Sequence, residues 1–184
     1  MSLPRLVAFD LDGTVWSPDM YQLWGGGAPF AVKSSTELTD CANQRVRLLG
    51  SFGAILDELC SSAAWSGATT AWVSCTDEPA WADECLRKFR TPSGSTLKEL
   101  VSTEVIYKAN KQTHFRELHE STGIPFCEMI FFDNERGNIN SVAKLGVCSV
   151  YCPDGMTDEI WRRGLAQYAE QQSDDVKDFD GRIR

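Results

Sequence analysis

No stretch of about 18 apolar residues occurs in the 184-residue chain, so no segment reads as a membrane span. The first residues show no basic leader followed by a long apolar run, so no secretion signal is expected and the chain is read as cytoplasmic. Eighteen lysines and arginines against 26 acidic residues form no basic cluster. A net charge of −8 and a pI near 4.8 repel phosphate backbones, so neither nucleic acid nor membrane is an expected partner. The seven cysteines (41, 60, 75, 85, 127, 148 and 152) include no Cys-x-x-Cys pair. Their odd number and scatter suggest neither a zinc site nor a disulfide framework, and reduced thiols suit a cytosolic protein. His114 and His119 stand five apart, off the spacing that places two ligands on one helix face, and are read as surface or semi-buried residues. No internal repeat is present.

What is there belongs to an ordinary globular chain, 42% apolar and 24% charged, long enough for one core and read as a monomer. Short apolar runs at 5–9, 69–74, 104–107, 128–132 and 147–151 read as buried strands. Helical patterns fill 47–64, 78–89, 111–122, 137–145 and 157–172 between and after them. Alternating strand and helix predicts an α/β protein, a doubly wound parallel sheet covered on both faces. One domain over 1–172 and a loose polar tail over 173–184 are expected. "MYQLWGGGAPFAV" (20–32) breaks the alternation and predicts a short β-hairpin flap within about 16–38, with Trp16, Trp24 and Phe30 walling a pocket. Trp65, Trp72 and Trp81 are read as core or near-core residues, and Arg45 and Arg47 as solvated ones.

The chemistry concentrates at strand ends. Asp10 and Asp12, in "FDLDGTVW", point to one side of an extended chain. At about 5 Å and an effective dielectric near 20 their repulsion is roughly 3 kcal/mol, so a cation must offset it. Magnesium, which takes oxygen ligands and usually only one or two carboxylates, is the economical choice. Asp133 and Asn134, in "FFDNERGN", close another apolar run and complete the candidate metal set. Ser74 ends "TTAWVS" where a hydroxyl meets a helix start, and Lys111 opens a helix with a fixed positive charge. Each signal alone has a bland reading as turn, cap or solvated lysine; their joint order is what is specific.

"DLDGT" with the Ser, Lys and "FFDN" elements resembles the haloacid dehalogenase (HAD) superfamily of aspartate-nucleophile phosphotransferases. "PFAVKSS" (29–35), "KQTHFRELHESTGIPFCEMIFFDNERGNINSVAKLGV" (111–147) and "YCPDGMT" (151–157) are similar to its eukaryotic magnesium-dependent phosphatases, a branch with a flap and no large cap domain. The resemblance spans about 5–170. It implies a Rossmann-like HAD fold and a phosphomonoesterase acting on a small phosphorylated metabolite or on phosphotyrosine. By resemblance, Asp10 is the nucleophile that becomes an aspartyl phosphate, and Asp12 protonates the leaving group and then activates water. Ser74 and Lys111 hold the phosphoryl group; Leu11, Cys75 and Trp24 join them in substrate binding. Magnesium is held by Asp10, Asp12 and the Asp133–Asn134 pair.

Two positions depart from the family pattern. Asn134 stands where a second aspartate is expected, which removes a charge from the metal site and implies weaker magnesium binding, with Asn134 the direct ligand and Asp133 behind it. Cys75 stands where relatives commonly place an arginine, which bears on substrate choice. Three rivals fit less well. A thiol phosphatase built on Cys41 and Arg47 lacks the glycine that opens a phosphate-cradling loop. A receiver domain would carry adjacent acidic residues after the first strand. A catalytically inactive binding module would have no use for Asp10, Asp12, Ser74 and Lys111 together. Lys108 is a possible substitute for Lys111, disfavoured by the similarity around "THF".

Overall fold

The computed structural model describes residues 3–181, with 174–181 given as backbone. Five strands form a parallel sheet: β1 (Leu6–Phe9), β6 (Thr69–Ser74), β7 (Thr103–Ile106), β8 (Met129–Asp133) and β9 (Cys148–Tyr151), in the order β7-β6-β1-β8-β9. Each was foreseen within a residue or two, because strands buried on both faces read as unbroken apolar runs. β1 sits at the centre, where the order reverses, and its neighbours run alongside in register, Phe9 beside Trp72 and Phe132. Alternate side chains feed opposite faces. Val7, Phe9, Trp72, Ile130 and Phe132 pack toward α1 (Phe52–Ser61), α2 (Pro79–Lys88) and α6 (Asp158–Gly181). Leu6, Ala8, Val73 and Phe131 pack toward α4 (Lys111–Thr122) and α5 (Arg136–Ala143). Trp65 and Trp72 are core residues and Trp81 packs against that core, as expected.

Between β1 and α1 lies the flap, larger than the hairpin expected. It is a four-stranded antiparallel sheet of β2 (Trp16–Ser17), β3 (Ala31–Ser34), β4 (Glu37–Thr39) and β5 (Arg45–Leu48), ordered β2-β5-β4-β3. The helix expected from 47 therefore begins only at Phe52. Arg45, Val46 and Arg47 alternate out, in, out, and both arginines reach Glu37 across the strand pair, a period of two rather than 3.6. The glycine run turns no hairpin either: Met20–Gln22 is a single 3₁₀ turn, and the tight connection is Ser34 to Glu37. Gly27 instead permits a close approach, since a Cβ there would lie 2.2 Å from the Trp81 ring of α2. The flap is fastened to the same helix by Glu84, which accepts from the Phe30 N–H at 2.8 Å, and by Lys88, which donates to the Phe30 carbonyl. The Arg90 N–H donates to the Ser35 carbonyl at 2.9 Å.

The remaining helix is the short α3 (Leu97–Leu100), which the sequence reading missed. α6 runs in backbone to Gly181, so much of the stretch expected as a loose tail is helical. "SDDVKDFD" contains neither proline nor glycine and has no barrier to continuing the helix. Residues 182–184 of that expected tail lie outside the described residues. No helix among the described residues is long and apolar enough to cross a membrane.

Candidate active site

β1 delivers Asp10 one residue past its end, at the level of Asp133 on β8, and the Asp10 N–H donates to the Phe132 carbonyl at 3.0 Å. Two carboxylates on adjacent strands are about 5 Å apart, which again sets a repulsion near 3 kcal/mol at an effective dielectric of 20. Lys111 is the built-in answer. Its Nζ, 1% exposed, donates to Asp10 Oδ1, donates to the Val73 carbonyl at 2.5 Å, and stands 3.5 Å from Asp133 Oδ2. Burial alone would lower the Lys111 pKa; the facing Asp10 and Asp133 outweigh it and hold the ammonium above its ordinary value. Lys111 is the first residue of α4, whose Asn110 caps it by accepting from the Thr113 N–H at 2.9 Å. Lys108, the possible substitute, is exposed and paired with Asp77 at 2.7 Å.

Asp12 follows on the same loop. The Trp16 indole N–H donates to its Oδ1 at 2.7 Å. Desolvation outweighs that bond and, with Asp10 and Asp19 nearby, the carboxyl is pushed up to about 7, where it holds a proton near neutrality. Ser74, buried at the end of β6, accepts from the Thr76 N–H at 3.2 Å, and its neighbour Cys75 lies partly open. The Cys75 sulfur is 4.0 Å from His114 Nδ1. Because His114 Nε2 faces the Tyr107 carbonyl at 3.1 Å, and a carbonyl only accepts, Nε2 carries the ring proton and Nδ1 receives the thiol S–H. Burial raises the Cys75 pKa despite Lys111 and lowers that of His114, so both stay neutral. His114 is wholly buried rather than semi-buried, held by that carbonyl and by an edge-on Tyr107 ring 4.5 Å away.

Asp133 and Asn134 divide their tasks. Asp133 has no exposed surface; Oδ1 accepts from the Glu135 N–H at 2.7 Å and Oδ2 from Asn138 Nδ2 at 3.0 Å. Burial and Asp10 raise its pKa against those bonds and Lys111. The Asn134 amide is partly open and lies against the turn after Asp12, where its Oδ1 takes only a long, 3.4 Å bond from the Thr14 hydroxyl. Gly13, with φ +73°, makes room for it: a Cβ there would sit 2.1 Å from the amide nitrogen. Among the described residues no three His, Cys, Asp or Glu side chains form a ready metal cage. An oxygen donor set of a carboxylate, backbone carbonyls and a lightly engaged amide oxygen is of the type that a hard cation retaining water accepts.

Asp10, Asp12, Ser74, Cys75 and Lys111 line a crevice of about 250 Å³, whereas Asp133 and Asn134 are not among its lining residues. Leu11 is fully buried, so its side chain cannot meet a ligand. Trp24 corrects the expectation most clearly. It is 81% exposed and absent from the crevice, because the glycine run folds back on Asp40 and Trp81 instead of forming a hairpin over the strand ends. Trp16 and Phe30 are likewise core residues rather than pocket walls. In their place the crevice takes Tyr21, Asp19, Glu135 and Asn138. Asn138 stood within the quoted "FFDNERGN" run, and its return to Asp133 one helical turn later was the available signal; Tyr21 gave none.

Comparison with known proteins gives the chain its family. The sequence pattern of the Acid Phosphatase family matches residues 2–171. Magnesium-dependent phosphatase 1 of Homo sapiens is 36% identical over 93% of this chain and 90% of its own. A HAD-like hydrolase superfamily protein of Schizosaccharomyces pombe is 31% identical over 80% and 84%. Among solved structures, CbbY from Rhodobacter sphaeroides in complex with phosphate shares the fold at TM-score 0.55 and 12% identity, over 82% of this chain and 87% of that one. The N-terminal part of BF1531 from Bacteroides fragilis, which contains a phosphatase domain complexed with Mg, does so at TM-score 0.56 and 17% identity over 92% of this chain, which spans 40% of that one. The chain thus belongs to the Acid Phosphatase family, a phosphatase branch of the HAD-like hydrolases.

Proposed function

We propose that this enzyme is a magnesium-dependent phosphomonoesterase that hydrolyses a small phosphorylated metabolite through an aspartyl phosphate on Asp10. The observation that carries the reading is the Asp10 carboxylate on the crevice floor with a buried ammonium bonded to it. Asp10 attacks phosphorus, and the oxygen it displaces takes a proton from Asp12, whose raised pKa keeps one available. Asp12 then receives a proton from the water that attacks the aspartyl phosphate, releasing inorganic phosphate and restoring Asp10. Lys111 and the Ser74 hydroxyl hold the phosphoryl oxygens and Lys111 orients Asp10. The Asp10 carboxylate, the Asp12 backbone carbonyl and the Asn134 amide would hold magnesium, with Asp133 orienting them from behind. When bound, the ion neutralises phosphoryl charge. The human relative's name carries the same dependence.

A crevice near 250 Å³ is below the usual size of ligand pockets, about 300–1,000 Å³, which favours a small ester. Seven free thiols and the acidic surface suit a cytoplasmic monomer. The test is a panel of phosphorylated metabolites and phosphotyrosine peptides with magnesium, run beside Asp10→Asn. Turnover abolished by both EDTA and Asp10→Asn, with metabolites preferred, is expected; chelator-insensitive turnover, or activity kept by Asp10→Asn, overturns it. Cys75→Arg adds a charge beside the leaving group, and is expected to reorder the preferred esters on that panel more than it changes kcat on the best of them.

A further inference from the structure

One residue outside the reacting groups touches one of them directly. Trp16 is fully buried, its indole stacks on Phe89 with centroids 6.0 Å apart, and its N–H bonds to Asp12 Oδ1 at 2.7 Å. The backbone repeats the connection: the Gly13 N–H donates to the Trp16 carbonyl at 2.8 Å, and the Trp16 N–H to the Leu11 carbonyl at 3.3 Å. Trp16 also opens β2 and pairs with Leu48 of β5, so it belongs to the flap sheet. The flap is in turn fastened to α2 through Phe30, Glu84 and Lys88. An indole has one donor and no acceptor, and its ring is locked by packing. The N–H therefore engages Oδ1, the backbone of Met20 supplies a further bond to the carboxyl, and Oδ2 is the oxygen with no side-chain donor.

We infer that Trp16 is the positioning residue for the catalytic proton: its indole N–H fixes the Asp12 carboxyl so that Oδ2 alone presents the proton to the leaving oxygen. The inference rests on the reading of Asp12 as the proton donor. Without the indole N–H, the carboxyl keeps only the Met20 backbone bond and can place its proton on either oxygen, so donation fails in a share of encounters. The loss should depend on how much the leaving group needs a proton. A highly acidic phenol departs without one; an alkoxide does not.

The experiment compares kcat/KM for 2,4-dinitrophenyl phosphate, phenyl phosphate and an alkyl phosphate in wild type, Trp16→Phe and Asp12→Asn, with saturating magnesium. This quantity includes phosphoryl transfer to Asp10 and so reports leaving-group departure. Asp12→Asn should lose about 10²–10⁴-fold on the alkyl ester and far less on the dinitrophenyl ester, the range of a lost general acid. Trp16→Phe should show the same trend, about tenfold or more on the alkyl ester and within about twofold on the dinitrophenyl ester. Equal losses across the series in Trp16→Phe, with a graded loss in Asp12→Asn, overturn the inference and leave the proton-donor reading standing. A flat series in Asp12→Asn removes the reading beneath it. If Trp16→Phe does not fold, site-specific replacement of Trp16 by benzothienylalanine, which exchanges N–H for sulfur at constant ring size, gives the same comparison.

Discussion

Asn134 and Lys111 show how far single residues decide the site. Asn134 offers the cation a neutral oxygen where a second carboxylate would add a charge, so Asn134→Asp is expected to lower the magnesium concentration at half-maximal activity; a metal titration reads this directly. Lys111 neutralises two carboxylates that have almost no exposed surface. Removing one member of a buried charge cluster typically costs about 3–5 kcal/mol, because the others are left uncompensated. Lys111→Met should fold with a urea midpoint lowered accordingly and recover part of the loss when magnesium is added. At this scale the sequence was most legible. Asp10, Asp12, Ser74 and Lys111 were assigned to one crevice because they lie at or just past strand ends or open a helix, Cys75 joined them through the family resemblance, and the crevice contains all five. Trp24 was misplaced because an aromatic beside glycines carries no record of which way the loop folds.

Among elements, α4 does most for the site: it turns a helix start into the place where the ammonium is presented. Its cap, Asn110, is adjacent to Lys111. Asn110→Ala should cost about 1 kcal/mol of stability. It should also lower kcat by releasing the first turn that aims Lys111, and thermal melts with steady-state kinetics check both. The five core strands were legible because burial on two faces leaves an unmistakable apolar run. The flap was not. β2 is two residues long, β3 is exposed throughout, and β5 alternates over too few positions to outweigh the helical pattern that follows. The pairing of short, exposed strands is set by partners distant in sequence, which local periodicity does not record.

Across the whole molecule, the carboxylates moved off their ordinary range fall into two groups. Away from the crevice, those engaged by donors, such as Asp83 with Arg87 and Lys98, are held below their ordinary range. Asp12 and Asp19 in the crevice, and the wholly buried Asp133, are raised, chiefly by burial. A raised carboxyl binds more protons folded than unfolded, so its contribution to stability falls as pH climbs from its unfolded value near 4 through its folded one. For Asp12 that interval closes at about 7. Metal-free Asp12→Asn should therefore be more stable than wild type at pH 8, by about 1–2 kcal/mol after allowing for solvent in the crevice. The advantage should shrink toward pH 4, as urea melts at both pH values would show.

The antiparallel sheet beside the crevice is riveted to α2 through Phe30, Glu84, Lys88 and the Gly27–Trp81 contact, and its first strand begins with the residue that grips Asp12. A wall fastened at these points is expected to keep its place, and discrimination among esters then to come from a mould of fixed shape rather than from a door that shuts.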